Sequence, residues 1–189
     1  MNEKEELFNK IMYLIRSRVD DNFWNNMSTF KSNTQTGEKY YIDFIKHVLD
    51  ENGFGYTCAG SQQPVDLRYV HEIQNPNIKI NIELKKTNSD KIKLNNTLPC
   101  NDVYYILFAV KYKYIIFKNG DEFIKDFHEV HYAFKKMFMD FRASAKNMNM
   151  GNISVYPIAN YDLKITDYIS DKTKAEKLAA KEAMKAEKL

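Results

Sequence analysis

The sequence predicts an α/β protein built on one mixed sheet with helices packed against it, and three observations carry that reading. The run Ile78 to Leu84 alternates strictly, with Ile78, Ile80, Ile82 and Leu84 on one face and Lys79, Asn81 and Glu83 on the other, continuing to Lys85, which is the period of a half-buried strand. Residues Val103 to Val110 are continuously apolar and β-prone, as a central strand covered on both faces is. Upstream, apolar residues recur at three and four (Leu7, Ile11, Leu14, Ile15; then Tyr41, Phe44, Ile45, Val48, Leu49), which marks two amphipathic helices.

Taken in order, the first helix runs from Glu3 to about Asp20. Asn22 to Thr36 is polar apart from Phe23, Trp24 and Phe30 and reads as a connecting segment. A second helix opens at Gly37-Glu38 and stops at Asn52-Gly53. Val65 to Tyr69 alternates as a strand, His71 to Asn77 supplies turn residues, and the strand at Ile78 follows, so a hairpin is expected. Asn88 to Pro99 has no clear period. After the central strand come a further strand at Tyr114 to Lys118, a turn at Asn119-Gly120, and a long helix carrying Phe123, Phe127, Val130, Phe134, Met137, Phe138 and Phe141. An edge strand is expected at Ile153 to Tyr156.

The 189 residues are one domain's worth of chain, assigned to 1–169, with a net charge of +3. Residues 170–189 read as a charged helical C-terminal tail with Lys-Ala-Glu-Lys-Leu twice and too few apolar residues for a core element, so a solvated helix, a partner contact or a frayed end is expected. The chain has no apolar run long enough to span a bilayer and a polar, acidic N-terminus, so a cytoplasmic protein with no membrane partner is expected. Two cysteines, Cys58 and Cys100, are too few for a disulfide framework. His128-Glu129-Val130-His131 is one residue short of the spacing that lets two histidines on a helix share zinc.

The chemistry is concentrated in Asp66, Glu83 and Lys85. If the hairpin turn centres between Gln74 and Asn75, Asp66 falls directly opposite Glu83 on the polar face; if Pro76 takes the second position of a tight turn, the register slides by four residues and the shared face survives. Glu-x-Lys alone is common on solvent-facing strands; the carboxylate at hairpin distance singles this one out. Two carboxylates facing each other destabilise a sheet unless a cation stands between them. Oxygen ligands without His or Cys favour Mg²⁺, with Mn²⁺ as the substitute.

These residues, Pro64-Val65-Asp66 and Glu83-Leu84-Lys85, resemble the PD-(D/E)XK phosphodiesterase superfamily and within it the type II restriction endonucleases. One residue is inserted between the Pro and the Asp. The resemblance implies a restriction-endonuclease-like α/β/α core around a mixed central sheet, and Mg²⁺-dependent hydrolysis of double-stranded DNA. It implies Asp66, Glu83 and the backbone carbonyl of Leu84 as metal ligands, Lys85 beside the attacking water, and Glu38 as the helix glutamate that many members carry ahead of the hairpin. Ser61, Gln62 and Gln63 before the first strand, and Asn95 and Asn96 after the second, are candidate base readers, since Gln and Asn can bond adenine bidentately. Lys86, Lys91 and Lys93, with Lys111, Lys113 and Lys118 on a later hairpin, make a candidate basic surface. A homodimer on DNA is expected, to match the two-fold symmetry of a palindrome. Two alternatives are a structure-selective or repair nuclease with the same triad and a catalytically inactive DNA-binding module on the same fold.

Overall fold

A computed structural model describes residues 2–30, 35–58, 65–95, 98–148, 160–166 and 168–169. The elements are α1 (Glu3–Arg18), α2 (Asp21–Thr29), α3 (Gln35–Glu51), β1 (Phe54–Cys58), β2 (Leu67–Glu72), β3 (Asn75–Thr87), β4 (Lys91–Asn95), β5 (Val103–Ala109), β6 (Tyr114–Asn119), α4 (Gly120–Ile124), α5 (Glu129–Asn147) and β7 (Asn160–Lys164).

Five strands form a mixed sheet in the order β1-β2-β3-β5-β6, as the sequence predicts for its class. The pair β3–β5 is parallel and the other three pairs are antiparallel. Because β3 and β5 are parallel, the chain must cross over between them, and it does so through β4, which pairs with β7 in a separate two-stranded ribbon. Ile80, Ile82 and Leu84 of β3 and Tyr104, Ile106 and Phe108 of β5 face one apolar cluster, closed by Leu7, Phe8, Ile11 and Ile15 of α1, Trp24 and Met27 of α2, and Ile45, Val48 and Leu49 of α3. On the opposite face Val103, Tyr105 and Leu107 pack with Ile92, Phe123, Phe127 and Ile165. Both faces of β5 are therefore buried, which is why its sequence shows no alternation.

Several elements depart from expectation. The segment after Asp20 is helical: Asp20 caps α2 by accepting from the Phe23 N–H at 2.7 Å, and Phe23, Trp24 and Met27 turn inward. The strands β1 and β4 had no sequence signal. The turn between β2 and β3 occupies Ile73-Gln74, and Pro76 lies inside β3. The expected long helix from Phe123 is two helices. Phe123 and Phe127 are buried where α4 ends, whereas Val130, Phe134, Met137 and Phe141 of α5 are exposed. His128 and His131 fasten the start of α5, since the His128 and Val130 N–H groups donate to Nδ1 of His131 and of His128. Among the described residues the helix layer on the second face is accordingly thinner than a full α/β/α sandwich implies. The expected edge strand at 153–156 and the tail at 170–189 lie outside the described residues. No helix among the described residues is long and apolar enough to cross a membrane.

Candidate active site

The hairpin brings the three chemistry-bearing residues together. Leu67 pairs with Ile82, so the next position outward sets Asp66 opposite Glu83. Asp66 sits at a bend just before β2, and its Oδ2 accepts the Leu84 N–H at 2.7 Å. The N–H and C=O of one strand residue point to the same edge, so the Leu84 carbonyl opens on the side where Asp66 stands. Lys85 Nζ donates to Oε1 of Glu83. Glu83 is 5% exposed, the one charged residue among the buried described residues, and its Oε2 is buried with no hydrogen-bond partner among them.

Burial is the largest influence on Glu83 and pushes its carboxyl up; the Lys85 charge pulls it back and the Asp66 carboxylate pushes it up again, leaving the pKa at about 7. Burial pulls the Lys85 ammonium down, but the charges of Glu83, Asp66 and Glu38 outweigh it and Lys85 titrates above the ordinary lysine range. A carboxyl whose pKa is raised by folding contributes stability that is present below its unfolded value and lost as pH rises through the folded one. Without metal, the protein is expected to lose roughly 3 kcal/mol of this contribution between about pH 4.5 and 7. Urea unfolding at pH 5 and pH 8 checks this. The wild type should weaken more than Glu83→Gln over that interval, and equal pH dependence in the two proteins would contradict it.

Glu38 lies exposed in the first turn of α3, and Tyr41 follows one turn later on the same helix. Burial first, then the charges of Glu38, Asp66 and Glu83, hold the Tyr41 hydroxyl well above its ordinary range. Glu38 thus acts electrostatically on both Tyr41 and Lys85. Tyr41 was not among the residues singled out in the sequence, where its helical spacing marked it only as core. Among the described residues no three His, Cys, Asp or Glu side chains stand close enough to share one ion. The donor set is therefore two carboxylates and main chain.

The candidate DNA contacts fare differently. Lys86 faces away from Glu83 and Lys85: its Nζ donates to the Phe30 carbonyl at 2.7 Å at the end of α2 and lies over the Phe30 ring, and burial lowers its pKa. Its role is to tie the helix layer to β3. Lys111 is paired with Asp90, Lys113 with Asp21 at 2.6 Å and Lys118 with Asp126 at 3.2 Å, so these cations are locally neutralised. Lys91 is exposed on β4, just beyond the end of β3. The backbones of Lys93 and Asn95 lie on the same strand, and their side chains fall outside the description, as do Ser61, Gln62, Gln63 and Asn96 altogether.

No family model, curated protein or solved structure matches this chain. What the site can do follows from its own chemistry. A buried carboxylate oxygen without a partner, a second carboxylate beside it and a carbonyl on the same edge are hard oxygen donors, which fit a divalent cation of the Mg²⁺ kind. The adjacent ammonium adds a fixed positive charge on the same face.

Proposed function

We propose that this protein is a metal-dependent endonuclease of the PD-(D/E)XK type acting on double-stranded DNA, with the type II restriction enzymes as its nearest analogy. The observation that carries the reading is the pairing of Asp66 with Glu83 across the β2–β3 hairpin, with Lys85 on the same face and Glu83 Oε2 left without a partner. Asp66, Glu83 and the Leu84 carbonyl would hold Mg²⁺, with Mn²⁺ as a substitute. When bound, the metal supplies positive charge against the scissile phosphate and favours hydroxide over water near neutral pH.

The remaining chemistry belongs to the chain. Lys85 keeps its proton at neutral pH, so it acts as a fixed cation and hydrogen-bond donor rather than as the base. It orients the attacking water and offsets charge that builds on the phosphoryl oxygens. Glu83 must ionise to serve as a ligand, which the Lys85 ammonium assists. Asp66 is held in place by the Leu84 N–H, so its carboxylate is aimed before any ligand arrives. Glu38, whose charge is felt by Lys85 and Tyr41, adds negative charge near the site, and by the resemblance it would receive a metal-associated water.

Cutting both strands of a palindrome with one site per chain calls for a two-fold dimer. Val130, Phe134, Met137 and Phe141 of α5 recur at four, three and four residues and are exposed, which is the seam spacing of paired helices and the surface proposed for the second copy. Sedimentation with a cognate duplex should give two chains per duplex; one chain per duplex would overturn the dimer.

Plasmid digestion tests the function. Discrete fragments in Mg²⁺ are expected, with DNA binding but no turnover in Ca²⁺, whose longer and looser coordination polarises water less. Comparable turnover in Ca²⁺ would count against the metal's role. Nicking confined to branched substrates would instead favour a structure-selective nuclease, and no cleavage in either metal the inactive binding module.

A further inference from the structure

We infer that Asn81 is a positioning residue for Asp66, acting through a one-residue bulge in β2; the inference rests on the nuclease reading for its kinetic consequence and on geometry alone for its structural one. Val70 pairs with Ile80 and Leu67 with Ile82, so three steps along β2 match two along β3. The surplus is absorbed at Tyr69, whose φ of 53° lies in the left-handed region that a tyrosine rarely adopts.

The bulge decides which face Asp66 occupies. Leu67 and Val70 are three residues apart, yet both are fully buried in the same cluster beneath α1, α2 and α3, which an unbroken period of two forbids. Were the register at Val70 to run on without interruption, Asp66 would stand opposite Leu84 and share its face, turned into the helix-side core. Leu67 would then take the place beside Glu83. One inserted residue therefore separates a paired-carboxylate site from a buried, isolated aspartate.

A side chain of β3 pins the bulge. In its left-handed conformation Tyr69 leaves the regular ladder, and its N–H donates to Oδ1 of Asn81 at 3.2 Å. Asn81 stands two residues before Glu83, on the same face of β3. Asn81 thus fixes the bulge, and the bulge delivers Asp66 to the Leu84 N–H at 2.7 Å. The strand that carries Glu83 and Lys85 also carries the side chain that sets their partner in register.

The test pairs amide hydrogen exchange at Leu84, which reports the Asp66 bond without any catalysis, with Mg²⁺ titration of plasmid cleavage. In Asn81→Ala the Leu84 amide should exchange at least about tenfold faster, and the half-saturating Mg²⁺ concentration should rise about tenfold, with KM for DNA changed less than about twofold. Adding Tyr69→Gly, which accepts the left-handed conformation without strain, should recover most of both effects. Asn81→Asp, which keeps an acceptor oxygen, should leave Leu84 exchange within about twofold of wild type. The inference is overturned if Asn81→Ala changes neither readout beyond about twofold, if Tyr69→Gly recovers neither, or if exchange quickens equally across β2 and β3. Absence of cleavage by the wild type in Mg²⁺ would sink the nuclease reading instead, and the exchange measurements would still decide the role of Asn81.

Discussion

Asp66→Asn is expected to lower the single-turnover rate of duplex cleavage by at least about 10³-fold while the protein stays folded. The asparagine keeps an oxygen able to accept the Leu84 N–H, so the local structure survives, but it removes the charge on which the proposed metal ligation depends. Alanine is the harsher probe. It strands the Leu84 N–H, at a cost of roughly 1–3 kcal/mol, and would confuse lost chemistry with lost stability. Deleting Asp66 thus does two opposed things, relieving repulsion with Glu83 and breaking the bond to the Leu84 N–H. On the proposed function Glu83→Gln should match Asp66→Asn in rate, because both carboxylates would then serve one ion. Wild-type cleavage by a folded Asp66→Asn protein, its fold verified by urea unfolding, would remove Asp66 from the site.

Lys85→Ala should slow cleavage by at least ~10²-fold and yet retain Mg²⁺ binding by calorimetry at pH 8. The two outcomes separate because the proposed role of Lys85 is to supply charge and orientation, and an ammonium has no lone pair to give a metal. Its removal also withdraws the cation that holds Glu83 Oε1, so the metal-free variant should keep Glu83 protonated to higher pH than the wild type does. A Lys85→Ala protein cleaving within about threefold of wild type would leave the lysine with a structural role only.

The core of this site was legible in the sequence because a strand's period of two is unforgiving. Ile80, Ile82 and Leu84 had to share one face, which put Glu83 and Lys85 on the other, and either placement of the turn kept Asp66 on that face; the exact pairing was not legible, because the structure reaches it from Glu72 opposite Asn75 through two register shifts. The bulge was not legible. Val65 to Tyr69 alternates apolar and polar without fault, so nothing in residue type announces that Tyr69 leaves the strand conformation. In the structure Val65 and Leu67 join different apolar clusters, although regular alternation would put them together. The strands β1 and β4 are each five residues long and held by their partners rather than by their own pattern. Lys113 looked like a free surface cation because its partner, Asp21, lies 92 residues away in the chain. The apolar residues of α5 read as core because helical spacing reports a stripe and says nothing of what covers it.

Lys85 and Lys86 are neighbours that look interchangeable and face opposite ways. The first pairs with Glu83 and is the one proposed for the chemistry; the second, with Asn88 donating to the same Phe30 carbonyl at 3.0 Å, fastens α2 to the strand that carries it. A mutational scan scored by lost activity would rank both as essential, one through the reaction and one through the scaffold. Temperature would sort them: damage at Lys86 should be partly forgiven in the cold, where a loosened helix still holds, whereas damage at Lys85 should persist at every temperature at which the protein is folded.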